Sequence, residues 1–168
     1  MTSLPAAQYQ FEPLSLHHDR AGFSCGVDAL DRYLKTQARQ DVERDLASVF
    51  VLTPDGQTIA GFYTLSANSI LAKDLPRDHA RKLPRFPLPV TLLGRMAVSA
   101  RLQAQGFGYI LLTDALRRSL LGSRNIASLA VIVDAKAGAR NFWIKHGFMA
   151  FESDPNRLFL TMETIRKL

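Results

Sequence analysis

Cysteine is almost missing from this sequence of 168 residues, in which Cys25 is the only one. A disulfide framework is therefore excluded. Long apolar runs are missing as well, because the longest, Leu129 to Val133, is far short of the roughly 20 residues that span a bilayer. The first residues lack the basic and apolar stretches of a secretory leader, so we expect a cytoplasmic protein that does not enter a membrane.

Repeats, low-complexity tracts and Gly/Ser-rich linkers are also absent, and 47% of the residues are hydrophobic against 21% charged. This composition excludes collagen-like, mucin-like and disordered proteins. Since domains commonly run on the order of 100–200 residues, we expect one domain over residues 1–168. No metal is expected, because the histidines form no i, i+4 pair and have no cysteine beside them. These histidines are His17, His18, His79 and His146.

Positive charge exceeds negative charge by 6, and most of the excess lies in one segment. Between residues 73 and 95 there are two acids, Asp74 and Asp78, and six bases: Lys73, Arg77, Arg81, Lys82, Arg85 and Arg95. Prolines interrupt the same segment, which predicts a long, partly irregular connection. An excess of this sign favours acidic partners such as nucleic acid or a phosphorylated cofactor. The alternative is a solvated loop face, which is the usual role of a run of charges.

Hydrophobic periodicity predicts an α/β chain. A helix over Val27–Asp45 is expected to begin at Asp28, with Asp31 completing a capping pair. A second helix, Phe107–Leu121, is expected to carry a polar stripe made of Thr113, Asp114, Arg117 and Arg118. The other predicted elements are strands at 8–14, 47–53, 58–69, 90–99, 128–135, 148–152 and 158–162, and short helices at 74–82 and 138–146.

The turn before the second helix contains two glycines and reads Gln103-Ala104-Gln105-Gly106-Phe107-Gly108. A helix start offers backbone N–H groups without partners and the positive end of the helix dipole, which together bind anions. Glycine lets the backbone approach a pyrophosphate closely. No Gly-Lys-Ser/Thr follows, so a Walker loop is excluded. From the pattern alone, a turn that binds no ligand is an equally good interpretation.

The order of strand, Gln-x-x-Gly-x-Gly turn, helix, strand, helix and Gly-Phe over residues 90–151 resembles the GNAT family of acyl-CoA-dependent N-acetyltransferases. Nearly the whole chain is similar to the TacT and AtaT group of GNAT toxins from bacterial toxin–antitoxin operons. The motifs that carry this similarity, in order, are FSCGVDALDRYL, IAGFYTLSANSI, LLGRMAV, VDAK and RLFLTM. The resemblance implies the GNAT fold, an α+β structure with a six- to seven-stranded, mostly antiparallel mixed sheet, splayed central strands and about four helices.

Acetyl-CoA is the co-substrate that the resemblance implies. Its pantetheine arm is expected to pair with the backbone of Met96, Ala97 and Val98. Its pyrophosphate is expected on the backbone of the turn and the first helical residues: Gln103, Ala104, Gln105, Gly106, Phe107, Gly108 and Tyr109.

Toxins of this group acetylate the α-amine of aminoacyl-tRNA and so block translation. With such a substrate, the six bases between residues 73 and 95 are predicted to bind tRNA phosphates, and Arg95 the acceptor end. The resemblance further implies a ribbon-helix-helix antitoxin as partner, operator DNA contacted only through that antitoxin, and a homodimer. Some of the arginines could instead meet an acidic tail of the antitoxin.

Asn141, Phe142 and Trp143 are expected to border the thioester, and here the sequence departs from the group. The group has tyrosine at the position of Trp143, where it is the usual general acid. Indole donates a hydrogen bond but releases no proton at a useful pH, so we expect a slower enzyme. Tyr63 or a bound water could replace the acid, although packing on a sheet face is the simpler role for Tyr63.

Two alternatives stay open at this point. The tryptophan at position 143 leaves open a catalytically weak relative that binds acetyl-CoA and acts mainly as an antitoxin partner and co-repressor. The resemblance also fits a GNAT enzyme that acts on a protein or a small-molecule amine. A polycationic substrate is disfavoured, because the chain itself carries a net charge of +6.

Overall fold

The computed structural model describes residues 8–168. Over that range the chain forms seven β-strands: β1 (Gln10–Pro13), β2 (Ser48–Thr53), β3 (Gly61–Ile70), β4 (Leu88–Val98), β5 (Ala130–Asp134), β6 (Met149–Ala150) and β7 (Arg157–Thr161). It also forms six α-helices: α1 (Asp28–Thr36), α2 (Ala38–Glu43), α3 (Arg77–Ala80), α4 (Phe107–Gly122), α5 (Arg140–Lys145) and α6 (Met162–Ile165). Residues 1–7, on which the prediction about a leader partly falls, lie outside the described range.

The strands form one mixed sheet in the order β1-β2-β3-β4-β5-β7-β6. The β4–β5 pair is parallel, whereas β1–β2, β2–β3, β5–β7 and β6–β7 are antiparallel. The predicted fold class is therefore confirmed. Residues 8–168 contain six helices, whereas the sequence predicts about four. The first predicted helix is divided into α1 and α2, and α6 begins at the predicted end of the last strand. No helix within residues 8–168 is both long enough and apolar enough to cross a membrane.

The described chain falls into two compact units. The first comprises residues 8–66 and 95–115, and the second comprises residues 67–94 and 116–168. Each unit has its own hydrophobic cluster, which contains Phe62 in the first and Phe159 in the second. The expectation of a single domain over residues 1–168 stays a prediction.

The first unit is built on the antiparallel strands β1, β2 and β3. Val51 of β2 lies opposite Phe62 of β3, and both side chains are fully buried. The predicted hairpin between these strands is present. Its turn is stabilised by the Asp55 carboxylate, which accepts hydrogen bonds from the backbone N–H groups of Gln57 and Thr58 at 2.8 and 2.7 Å. These bonds lower the pKa of Asp55 to about 2.

The helix predicted over Val27–Asp45 is wrong as a single element. α1 ends at Thr36 and α2 begins at Ala38, with Gln37 between them at φ −121°. The break brings the chain round so that the Tyr33 hydroxyl donates to the Asp41 carboxylate at 2.8 Å. A tertiary hydrogen bond therefore overrides the continuous helical periodicity.

The capping pair predicted at the start of this helix is also wrong. The cap position is Val27, and no side chain caps the helix. The carboxylate of Asp31 accepts from the backbone N–H of Cys25 at 2.8 Å, so it stabilises the preceding loop instead.

The second unit centres on β5, whose residues 130–133 are almost completely buried. β5 pairs with β7 along its whole length, from Ala130↔Thr161 to Asp134↔Arg157. Its parallel pairing with β4 consists of Thr91↔Val131 and Leu92↔Ile132. β5 continues two residues beyond the last of these pairs.

Candidate active site

The turn that precedes α4, in the first unit, has a strained backbone. Its φ angles are left-handed at Ala104 (62°) and at Gly106 (87°). Glycine adopts such angles freely, whereas a residue with a Cβ does so at a cost of roughly 1–2 kcal/mol. Backbone strain of this kind is typically retained where it serves a functional geometry.

The same turn presents unbonded backbone donors to solvent. The N–H groups of Ala104, Gln105 and Gly106 donate no hydrogen bond within residues 8–168, and all three residues are exposed. The first N–H groups of the 16-residue helix α4, from Phe107 onward, have no partner inside the helix. Together with the helix dipole, these donors form a surface suited to a pyrophosphate.

The side chain of Gln103 holds this turn in place. Its Nε2 donates to the carbonyl oxygen of Cys25 at 2.7 Å and to that of Val98 at 3.0 Å. The backbone N–H of Ala100 donates to the Ser24 carbonyl at 2.8 Å in the same region. Gln103 therefore joins the turn to β4 and to the loop before α1, a positioning role that the sequence pattern did not reveal.

Strand β4 runs close to β3 at the residues expected to meet the pantetheine arm. Ala97 is buried, and Met96 and Val98 are half-buried. A Cβ on Gly61 would lie 2.9 Å from the carbonyl oxygen of Ala97 and 2.9 Å from Leu111 Cδ1. The close approach of the strands therefore requires glycine at position 61. Sequence reasoning missed Gly61, although a glycine inside a strand pattern is the usual signal of such an approach.

Tyr63 is fully buried, and its hydroxyl donates to Asp114 at 2.5 Å. The ring packs against Phe50 and Phe11, with centroids 5.4 and 6.1 Å away. This environment favours the packing interpretation, and a role for Tyr63 as general acid stays a prediction. Asp114 is 5% exposed, so its predicted place on a polar stripe of α4 is wrong. A buried carboxylate is tolerated there because a hydrogen-bond donor satisfies it.

Helix α5, in the second unit, carries the three residues expected near the thioester. Asn141 is exposed, Phe142 is half-buried and Trp143 is 8% exposed. The indole lies edge-on to Phe142 and Phe148, with ring centroids 5.0 and 5.3 Å away. Its N–H donates no hydrogen bond within residues 8–168, so it can donate to a bound ligand. Gly147, at φ 94°, lies just beyond the helix.

The structure divides the six predicted tRNA-binding bases into three places. Four of them line one groove of about 700 Å³, in the second unit: Lys73, Arg77, Arg81 and Arg85. We call it the basic groove. Lys82 lines a different pocket of the same unit, beside Asp78 and His79. Arg95 belongs to the first unit.

Arg95 is held by an aromatic ring. Its guanidinium lies over Tyr33, 3.7 Å from the ring centroid. Burial, followed by the bond to Asp41, raises the pKa of the Tyr33 hydroxyl well above its ordinary value, which keeps the hydroxyl a donor. The carboxylate of Asp41 also accepts from Gln37 Nε2 at 2.9 Å, and this bond is the main cause of its lowered pKa. The sequence indicated Arg95 but not the Tyr33–Asp41 pair that supports it.

One cluster in the first unit has the composition of a metal site. The ligand atoms of Glu12, His17 and His18 all lie within 4.8 Å of one another. Those of His18 already have hydrogen-bond partners, because Nδ1 accepts from the Ser15 N–H at 3.0 Å and Nε2 lies 2.9 Å from Glu12. A neutral imidazole that accepts at Nδ1 carries its proton on Nε2, so metal binding there requires the bond to Ser15 to break. The cluster therefore fits a structural role.

No family model matches the chain. A probable toxin TacT of Sinorhizobium fredii (strain NBRC 101917 / NGR234) is 33% identical to it over 180 aligned positions, which cover 100% of this chain and 99% of the relative. A tRNA-acetylating toxin of Mycobacterium tuberculosis (strain ATCC 25618 / H37Rv) is 35% identical over 151 positions, which cover 89% of this chain and 90% of the relative.

Solved structures of toxins share the fold. AtaT complexed with acetyl-methionyl-tRNAfMet has a TM-score of 0.88 at 25% identity, over 95% of this chain and 98% of that one. AtaTR bound with AcCoA has a TM-score of 0.84 at 25% identity, over 96% and 98%. An AtaT variant bound to the C-terminus of the antitoxin AtaR and acetyl-CoA matches in fold, with a TM-score of 0.81 at 24% identity, over 95% and 97%.

The two relatives match this chain over nearly its whole length, and the solved toxins match its strand and helix arrangement. The resemblance noted in the sequence is thereby confirmed. The chain belongs to the TacT family of tRNA-acetylating toxins, which has the GNAT fold.

Proposed function

We propose that this protein is a toxin that transfers the acetyl group of acetyl-CoA to the α-amine of aminoacyl-tRNA and so blocks translation. The observation that carries the proposal is the exposed turn before α4, with its three unbonded N–H groups, in a chain of this family. AtaT binds acetyl-methionyl-tRNAfMet, and AtaTR binds acetyl-CoA. The same pair of ligands explains both the turn and the positive charge of this chain.

Acetyl-CoA supplies an activated acyl group. Residues 104–109 would hold its pyrophosphate and the backbone of residues 96–98 its pantetheine arm. The neutral α-amine attacks the acetyl carbon, the C–N bond forms, the C–S bond breaks, and coenzyme A leaves as a thiolate. The amine then releases its extra proton to solvent. An α-amine has a pKa near 8, so a useful fraction is neutral at pH 7.

Trp143 would act as a hydrogen-bond donor toward the developing thiolate rather than as an acid. A thiol has a pKa of about 8.5, so a thiolate leaves without full protonation. A general acid typically contributes about 10²- to 10⁴-fold, which bounds the loss from its absence. We therefore propose a slow enzyme rather than an inactive one.

The partners of the family complete the proposal. We propose that a ribbon-helix-helix antitoxin neutralises this toxin, that operator DNA is contacted only through that antitoxin, and that the toxin forms a homodimer. Because its substrate is charged tRNA, the protein would act in the cytoplasm.

Mass spectrometry of charged tRNA, after incubation with the protein and acetyl-CoA, tests the proposed reaction. The expected product is tRNA whose aminoacyl group has gained one acetyl. Transfer to a protein or a polyamine, with none to any aminoacyl-tRNA, would refute the substrate and leave the family unaffected.

Trp143 also supports a second candidate, a weak acetyl-CoA-binding relative that serves mainly in repression. The substitution Trp143→Tyr separates the two. A silent wild type with an active variant favours the binding protein, whereas toxicity of the wild type expressed without antitoxin removes that candidate. Tyr63→Phe is the matched test of a substitute acid, and a fall in kcat of about 10²-fold or more would assign the proton to Tyr63.

A further inference from the structure

Most of the positive charge in the basic groove is not compensated by ion pairs. Within residues 8–168, Lys73, Arg77 and Arg85 form no ion pair. Arg81 has one partner, Asp78, at 3.9 Å, and both side chains are well exposed, so this pair contributes little. Several uncompensated cations along one groove attract a polyanion rather than a single acidic group.

Half of the residues that line the groove are apolar, which distinguishes it from a merely solvated charged face. They are Leu71, Ala72, Ala80 and Leu83. Ala72 is buried in the core of the second unit, so the lining is anchored at that residue. The groove therefore combines four cations with apolar side chains, a composition that suits a chain of phosphates.

An exposed aromatic residue directly follows one of the cations that line the groove. Phe86 is 61% exposed, whereas the other phenylalanines of residues 8–168 are buried or half-buried. It follows Arg85 directly, so its Cα lies one peptide link, about 3.8 Å, from that of a residue lining the groove. Pro84 and Pro87 flank the two residues and fix φ on both sides. The ring is thus presented to solvent by a stiff segment.

We infer that Phe86 is a base-stacking platform for the unpaired 3′ end of tRNA, with the phosphates of that strand on the cations of the basic groove. The inference rests on the proposed function, because it names how that substrate is held. Single strands of nucleic acid are bound by this combination of cations along the backbone and aromatic rings that stack on bases. An acidic peptide would use the cations but would gain little from an exposed phenyl ring.

The test measures binding of uncharged tRNA, in full length and trimmed of its unpaired 3′ nucleotides, without acetyl-CoA. Phe86→Ala should weaken binding of the full-length tRNA about 5- to 100-fold and leave the trimmed tRNA unaffected. Phe86→Trp should restore binding, and Phe86→Leu should not, because leucine is apolar but has no π face. Ile126→Ala is the matched control, since Ile126 is 82% exposed in the same unit.

The cations are tested through the salt dependence of the same binding. Arg77→Ala and Arg85→Ala should each reduce the slope of log affinity against log salt by about 1. Lys167→Ala removes one exposed charge of the same unit that lies outside the groove and belongs to no predicted site, and it should leave the slope unchanged.

Equal weakening of full-length and trimmed tRNA by Phe86→Ala, or no weakening of either, would overturn the inference. The inference would also be overturned if these variants weaken the binding of a polyglutamate peptide and leave tRNA binding intact. That result would assign the surface to an acidic protein partner. Because uncharged tRNA is the probe, these outcomes are decided even if no acetyl transfer is found. Melting temperatures of all variants confirm that the fold is kept, as expected for exposed side chains.

Discussion

The turn before α4 and the basic groove both present positive potential to an anion, but they are built in different ways. The turn uses backbone N–H groups, and Gln103 anchors it through bonds to two carbonyls. The groove uses four long cationic side chains beside apolar ones, and three of these cations form no ion pair within residues 8–168. The first arrangement suits one small ligand in one orientation, and the second suits a flexible polyanion. Changes to the turn should therefore alter geometry and stability together, whereas changes to the groove should alter binding alone.

Salt should separate the two regions most strongly. Four phosphate contacts predict that tRNA binding weakens about 50- to 150-fold between 50 and 200 mM salt. Acetyl-CoA, which we propose to bind at the turn through directed N–H groups, should lose much less affinity. Fluorescence anisotropy with labelled tRNA and calorimetry with acetyl-CoA, at matched salt concentrations, measure both. Equal salt dependence of the two ligands would contradict the distinction.

Gly106→Ala should damage the turn without affecting the groove. The left-handed φ of 87° becomes strained by roughly 1–2 kcal/mol, which lowers the free energy of unfolding. Displaced N–H groups should weaken acetyl-CoA binding about tenfold, which corresponds to about 1.4 kcal/mol. Denaturant unfolding and calorimetry check the two effects. Ala104→Gly is the control, since glycine accepts the φ of 62° there and affinity should be kept.

Gly61→Ala should crowd β4 at Ala97. The new Cβ would meet the Ala97 carbonyl oxygen at 2.9 Å, and overpacking of this kind costs roughly 1–3 kcal/mol of stability. Acetyl-CoA binding should weaken by about threefold, less than for Gly106→Ala, because the strand can shift as a whole. Gly122→Ala is the matched control, since nothing lies within 4 Å of its Cβ. An unchanged melting temperature for Gly61→Ala would show that the close approach is dispensable.

Asp55→Ala should give the smallest effect. Asp55 stabilises the hairpin turn between β2 and β3, which belongs neither to the turn before α4 nor to the basic groove. The pKa of Asp55 is about 2 in the folded chain, against about 3.9 for an unfolded aspartate. A lowered folded pKa means that its stabilising contribution is present above pH 3.9 and is lost as the pH falls toward 2. The difference in melting temperature between wild type and variant should therefore shrink over that interval. A difference that persists at pH 2 would assign the effect to something other than the charge.

Much of the fold could be predicted from the sequence because its signals are local. The buried run at 130–133 forms a strand, as predicted. Helix α4 begins at the predicted residue, Phe107, and ends one residue beyond the predicted end. The long helix over 27–45 could not be predicted correctly, because its break depends on a hydrogen bond between Tyr33 and Asp41. Periodicity records which face of a helix is apolar, and it contains no information about a partner eight residues away.

The candidate site shows the same limit. The turn at 103–108 was found from its glycines, yet the left-handed residues are Ala104 and Gly106, and Gln103 acts through its side chain. The sequence predicts Asp114 on a solvated stripe because charge usually indicates exposure, whereas the hydrogen bond from Tyr63 makes its burial tolerable. The sequence also predicts one role for the six bases, and the fold distributes them over three places.

By itself, the sequence determined the order of the elements, the position of the turn before α4 and the family, because these depend on residue types at fixed spacing along the chain. Only the tertiary structure decided which cations share a groove, which aromatic ring supports Arg95, and which glycine allows two strands to meet. Those facts depend on distances between residues that are not neighbours in the chain, and such distances are set only when each compact unit has folded.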